Sequence, residues 1–421
     1  MLPRIILGEL PIRRNCNTYM NPFPQVPPVE DLPDAARYFP PAEGMYQVKP
    51  GFIRLGQDLG NGPADAQVFQ FDQSFPLFRQ TKLQARAERL PKYYQTADYT
   101  PEVSNTVARF IAQRLAQEHP GYFQLEEDNT GTRLHCALTD EILHFDSEYQ
   151  LSGVQAAGDA PGDLSRGVDG EGSPRGGGPG SGAIASEWEG RAWGKIGTGY
   201  SPTPPDAEPE QAGAGRAWGK IGAGRSPMPQ PPYIDSLDAL ACQIHEDLAL
   251  VSRRTDGSDW LAAVHLCCPN HWAAEEKVGR DFAQVHAPVA GMGPLNQRSA
   301  DLVRAMIERG PYMRFAWGLG TDTRLNHHPE PPPGIPPADW QGRHFDPEHP
   351  RLFVRVERQV LWGFPQQEAA LFTIRTYFRD CARLTPQERT QLRLAISSMT
   401  PQTLAYKGLA AHRDPILEWL K

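Results

Sequence analysis

Apolar positions along this chain recur with two periods, and the sharper period is two. Between residues 352 and 361, Leu352, Val354, Val356, Arg358 and Val360 fall on one side of an extended backbone. Phe353, Arg355, Glu357 and Gln359 fall on the other, which is β-strand spacing. Residues 371–378 repeat the pattern, with Phe372, Ile374 and Phe378 on the apolar side and Arg375 and Tyr377 opposite. Gly363-Phe364-Pro365 separates the two runs, so they are predicted as neighbouring strands joined by a turn. Residues 312–317 predict a further strand ending in Gly318. Residues 134–138 and 141–145 predict a hairpin around Thr139-Asp140, and residues 68–75 one more strand.

Elsewhere the period is that of a helix. Thr100 caps a run whose first residue is Pro101, and Val103, Val107, Phe110, Ile111 and Leu115 form one stripe. Ser236 is placed to cap a helix carrying Leu240, Ile244, Leu248 and Val251 on one face. Residues 83–90 and 302–307 predict shorter helices, and Thr385-Pro386-Gln387-Glu388 reads as a capping box ahead of Leu392, Leu394 and Ile396. Strands of antiparallel type with helices packed on them define an α+β fold class.

One stretch combines apolar patterning, turn chemistry and ligand-type side chains. Residues 261–268 predict a buried strand closed by Pro269-Asn270. Residues 273–277 and 281–285 predict two short helical pieces separated by Gly279, and Pro288 ends the second just after His286. His286 therefore stands at the end of an element, either as a core histidine with satisfied hydrogen bonds or as a ligand.

Composition divides the chain. Of its 421 residues, 39 are Gly and 42 Pro, and they concentrate between residues 152 and 232. There GRAWGKIGTGYSPTP, starting at Gly190, returns as GRAWGKIGAGRSPMP, starting at Gly215. So few apolar residues cannot offset the entropy of ordering the segment. Residues 152–232 are thus expected to be a disordered insert, with 1–151 and 233–421 as the two parts of one domain. The net charge of −8 and scattered Lys and Arg exclude a nucleic-acid footprint. With no apolar run of membrane-spanning length and no signal-peptide pattern, a cytoplasmic protein is expected. Six cysteines without a CxxC pair suit reduced core thiols.

Arg358 is the exception on its apolar face. A guanidinium there needs an anionic ligand, a carboxylate or an exit to the sheet edge. His327, His328, His344 and His349 lie in a Pro-rich stretch whose spacing fits no closed tetrahedral metal site.

Several segments together carry a resemblance. Cys268-Pro269-Asn270-His271-Trp272, Glu276-Lys277-Val278-Gly279 and Val285-His286-Ala287-Pro288-Val289 resemble the signature of the haem-dependent oxidative N-demethylase α-subunit family. Glu246-Asp247-Leu248, the runs 355–359 and 372–377, and Tyr406-Lys407-Gly408-Leu409 agree with it. The resemblance implies a PAS-like antiparallel sheet holding haem b, and oxidative removal of a methyl group from a small secondary amine such as dimethylamine, with formaldehyde released. It makes His286 the iron ligand, with His271 second in line and a thiolate from Cys267 or Cys268 as the remaining alternative. Lys277, Arg314 and Arg358 become the candidates for the haem propionates, and Glu357, Tyr377 and Trp317 those for substrate or oxygen. No GxGxxG follows a strand and no cysteine set suits an iron–sulfur cluster. Electrons are therefore expected from a partner reductase subunit carrying FMN and 2Fe-2S, with a folate-binding subunit as a further partner. A haem-based gas or redox sensor and a haem-free small-molecule binder are the rival expectations.

Overall fold

The structure, a computed structural model, describes residues 23–129, 131–157 and 233–421. The repeats starting at Gly190 and Gly215, and the expected insert beyond residue 157, lie outside the described residues. The strands are β1 (Ile53–Arg54), β2 (Tyr94–Thr96), β3 (Phe123–Asp128), β4 (Gly131–Cys136), β5 (Glu141–Phe145), β6 (Leu151–Ala156), β7 (Asp247–Arg253), β8 (Asp259–His265), β9 (Tyr312–Gly320), β10 (Phe353–Phe364) and β11 (Ala369–Asp380). Seven of them form a sheet in the order β1-β9-β10-β11-β7-β8-β2, every pair antiparallel. The rest form a four-stranded meander, β3-β4-β5-β6. The α+β class expected from the two periods is the observed one.

The faces of the large sheet follow the alternation read in β10. Val354, Val356, Arg358 and Val360 look to one side, where the helices Pro101–Glu118 and Pro386–Ser397 supply Val107, Ile111, Leu115, Leu392 and Ile396 to the core. Phe353, Arg355, Glu357 and Gln359 look to the other. That face is covered by chain between β8 and β9, through Leu266, Trp272, Ala274 and Val285 and through the helix Ser299–Glu308 with Val303, Met306 and Ile307. Gly363 has no room for a side chain, because the carbonyl of Ile307 occupies the place a Cβ would take. The helix is thereby seated directly on β10.

Three local expectations are corrected. The helix opening at residue 236 stops at Ala241, and its cap is Asp235, which accepts from the Asp238 N–H, rather than Ser236. Its expected continuation, Leu248 to Val251, is strand β7, held by the Asp247 carboxylate, which accepts the backbone N–H groups of Cys267 and Cys268 at 3.0 and 2.9 Å. Residues 68–75 form no strand. Their amides are taken by buried carboxylates instead, those of Val68 and Phe69 by Glu118 and that of Gln70 by Glu246. Long-range side-chain acceptors here replace a ladder. Residues 273–277 are turns; the second predicted piece is the helix Phe282–His286.

Candidate functional site

The site is built on the sheet face that carries Arg355, Glu357 and Gln359. Register places Gly318, Ala316 and Arg314 of β9 beside them on the same face. Solvent reaches all three β9 residues although chain covers this side of the sheet. A Cβ at Gly318 would meet only the Asn270 side-chain nitrogen, at 3.9 Å. Small residues in mid-strand thus leave a hollow above β9.

One wall of the hollow is the stretch the sequence singles out. Asn270 Nδ2 donates to Glu357 Oε1 at 2.9 Å, which pins the turn after β8 to the sheet, and Gln359 Nε2 donates to Glu357 Oε2 at 3.1 Å. His271 follows in the left-handed region, φ 61°, with its ring stacked on His327 at 5.2 Å. Such a conformation is uncommon outside glycine and persists only where surroundings enforce it. Asp281 then caps the helix Phe282–His286 in a reciprocal capping box with Gln284. Pro288 and the short capped helix fix where His286 stands.

The His286 ring lies 4.1 Å from that of Phe282, and its Nδ1 donates to the Phe282 carbonyl at 2.8 Å. A carbonyl only accepts, so the ring proton sits on Nδ1 and Nε2 keeps its lone pair. Burial pushes the His286 pKa below its ordinary value, and the nearby Arg314 and Lys277 push the same way. His286 is a neutral imidazole near two cations, and its second nitrogen has no hydrogen-bond partner among the described residues. His271 is also driven below the ordinary histidine range, by burial first and then by Arg343, His327, Arg355 and Arg324.

The hollow is cationic. Arg314 and Arg343 make no hydrogen bond or ion pair among the described residues, and the Nε of each is buried without a partner there. Burial lowers both pKa values, that of Arg343 to about 10. Lys277 Nζ donates to the Val285 carbonyl at 2.8 Å. Lys407 Nζ donates to the Trp317 carbonyl at 2.6 Å and stands 4.9 Å over the Tyr46 ring and 5.3 Å over that of Trp317. Burial brings its pKa down to about 8, with Glu357 opposing and Arg343 reinforcing the shift. Tyr406, half exposed, feels both Glu357 and Arg343. Among the described residues, Arg314 and Lys407 thus act on the Glu357 carboxylate, Arg343 acts on Lys407, and Lys277 lies with Arg314 near His286.

Of the residues singled out in the sequence, His286, Lys277, Arg314 and Glu357 come together here. Trp317 looks to the opposite sheet face, packing on Tyr46, and meets Lys407 through its carbonyl and ring. Tyr377 is buried on that opposite face with its hydroxyl on Gln70. Arg358 is there too, fully buried, its guanidinium donating to the carbonyl of Gln67 at 2.6 Å and to that of Val68 at 3.5 Å. Cys267 and Cys268 are sealed thiols with pKa values raised by burial. The four histidines of residues 327–349 do not converge. His327 binds Asp322, His328 binds Glu275, His344 packs on His412, and His349 is exposed beside Asp346. Asn270 and Lys407 lie within motifs quoted above, but no periodicity assigns them a role. Arg343 and Tyr46 carry no sequence signal at all, because they arrive from loops.

These features define a class: an α+β protein with a neutral imidazole near Lys277 and Arg314, on the face of an antiparallel sheet that carries Glu357. Residues 217–417 match the model of the family described as haem-dependent oxidative N-demethylase, alpha subunit-like. The match spans β7 to β11, the wall bearing His271 and His286, and the segment bearing Lys407. It is the family to which the motifs point.

Proposed function

We propose that this chain is the haem-binding, catalytic component of an oxidative N-demethylase acting on a small secondary amine. The observation that carries the reading is His286: a neutral ring with Nδ1 committed to a carbonyl, Nε2 without a hydrogen-bond partner among the described residues, and Lys277 and Arg314 nearby. That donor set suits an iron porphyrin, which needs one neutral nitrogen and positive charge for two carboxylates. His286 would hold the iron, and Lys277 and Arg314 would hold the propionates. The seven-stranded antiparallel sheet would be the PAS-type element.

When bound, haem b supplies activation of O2. The methyl C–H bond is oxidised and the C–N bond breaks, leaving formaldehyde and the shortened amine. One oxygen atom goes to formaldehyde and the other to water, with two electrons and two protons delivered by a reductant. This chain's own part is to bind and orient. Glu357, held by Asn270 and Gln359, would present its carboxylate to the amine. Electrons would come from a partner reductase with FMN and 2Fe-2S, formaldehyde would pass to a folate-binding partner, and the assembly would be cytoplasmic. Among the described residues no helix is long and apolar enough to cross a membrane. The expected boundary at residue 152 is corrected by β6, which keeps residues 152–156 in the meander, and residues 23–157 and 233–421 would act as one domain.

The experiment is absorption spectroscopy of the full chain expressed with excess haem precursor. A Soret band is expected, and His286→Ala should abolish or shift it while circular dichroism stays native. A parent protein with no band, or a variant with an unaltered one, overturns the reading.

A further inference from the structure

The charge of the hollow narrows the substrate class. Arg314 and Lys407 act on one carboxylate, Glu357, Arg343 acts on Lys407, and the Arg355 guanidinium lies 3.8 Å from Glu357 while donating to the carbonyls of Cys268 and Leu325. A porphyrin's two carboxylates would offset Lys277 and Arg314 near His286 and leave the other end of the hollow positive. At that end Arg343 lies against Gly408 with no hydrogen-bond partner among the described residues and a buried, orphaned Nε. A simple alkylammonium entering there meets surplus like charge.

Resting on the reading above, we infer that the amine substrate also carries a carboxylate, as an N-methylated amino acid does. The Arg343 guanidinium takes the carboxylate through its fork of N–H donors, and Glu357 takes the ammonium. Arg343 lies against Gly408, whose neighbour Lys407 donates to the carbonyl of Trp317, the residue after Glu357's register partner Ala316, and both Arg343 and Glu357 act on Lys407. Substrate charge thus matches site charge, and the orphaned Arg343 donors gain a partner.

Calorimetric titration of the full chain, both haem-free and haem-loaded, tests this with N-methylglycine, N-methylglycinamide and dimethylamine as probes. N-methylglycine is expected to bind at least about tenfold more tightly than either of the others, the gain of one charge-assisted hydrogen-bonded pair. Arg343→Gln should erase that preference without changing the Soret band, and Arg343→Lys should restore part of it. Dimethylamine binding as tightly as N-methylglycine, or an undiminished preference in Arg343→Gln, overturns the inference. Loss of the proposed function would show separately as a missing Soret band, since the haem-free titration still reads the preference.

Discussion

Arg358 and Arg375 stand directly opposite each other at the β10–β11 register, both fully buried and both on the face away from His286. Their charges are met by different means. Arg375 pairs with Asp72 at 2.5 Å, whereas Arg358 relies on the carbonyls of Gln67 and Val68 and on the Met313 sulfur. Arg358→Met should therefore act on folding. Stripping the carbonyls of their donor is expected to cost about 3 kcal/mol in urea unfolding and to leave the absorption spectrum of the folded protein unchanged. A variant of normal stability with a weakened Soret band would place Arg358 at the cofactor after all.

The cap of the His286 helix gives a second prediction. Asp281→Ala removes the acceptor for the Gln284 N–H at 2.7 Å and the capping box with it. The expected loss is about 1 kcal/mol of stability. Because the helix is only five residues long, fraying reaches His286, so haem retention on dilution should fall while Asp281→Asn keeps most of it.

Gly408 is a test of how Arg343 is aimed. Its φ is +70°, and a Cβ there would stand 2.6 Å from Arg343 Cδ. Gly408→Ala should cost about 1 kcal/mol from the backbone alone. It should also weaken N-methylglycine binding more than dimethylamine binding. Equal effects on both ligands would mean that Gly408 serves the backbone only.

Acid should unfold the protein through its buried histidines. His245 is enclosed by Phe71, Phe75 and Phe78, with Asp72 no closer than 3.6 Å and both ring nitrogens lacking a hydrogen bond among the described residues. Burial, reinforced by Arg375, lowers its pKa from 6.5 to about 3; burial, opposed by the Asp322 hydrogen bond, lowers that of His327 to about 4. Below pH 6.5 the unfolded chain takes up protons that the folded chain refuses. Stability from these groups is full above that pH and declines as pH falls toward the folded values. Melting temperature should drop between pH 6.5 and about 3, and His245→Leu should flatten part of that slope. An unchanged slope would show that His245 does not contribute.

Much of this architecture is legible in the sequence because alternation in β10 and β11 and the capping signals of Thr100 and Thr385 are local, and the structure keeps them. Residues 68–75 escape such a reading because their amides are satisfied by Glu118 and Glu246, partners remote in sequence. The same ambiguity affects Leu248 and Val251, where the largely buried run of β7 mimics a helical stripe. At the site, motif spacing exposes His286, Lys277 and Glu357. Alternation puts Arg358 and Glu357 on opposite faces, yet only the tertiary arrangement says which face carries the hollow. Arg343 comes from a loop, where no period exists to mark it.

The first nine residues of β10, Phe353–Leu361, are all buried, and that stretch is paired with a neighbour on both sides. Under the hollow the backbone is locked between those two strands, so its amides should be among the slowest to exchange with deuterium. Entry of any guest must then be granted by the flanking turns around Asn270 and Lys407, and those amides should lose protection first and regain it when the guest is bound.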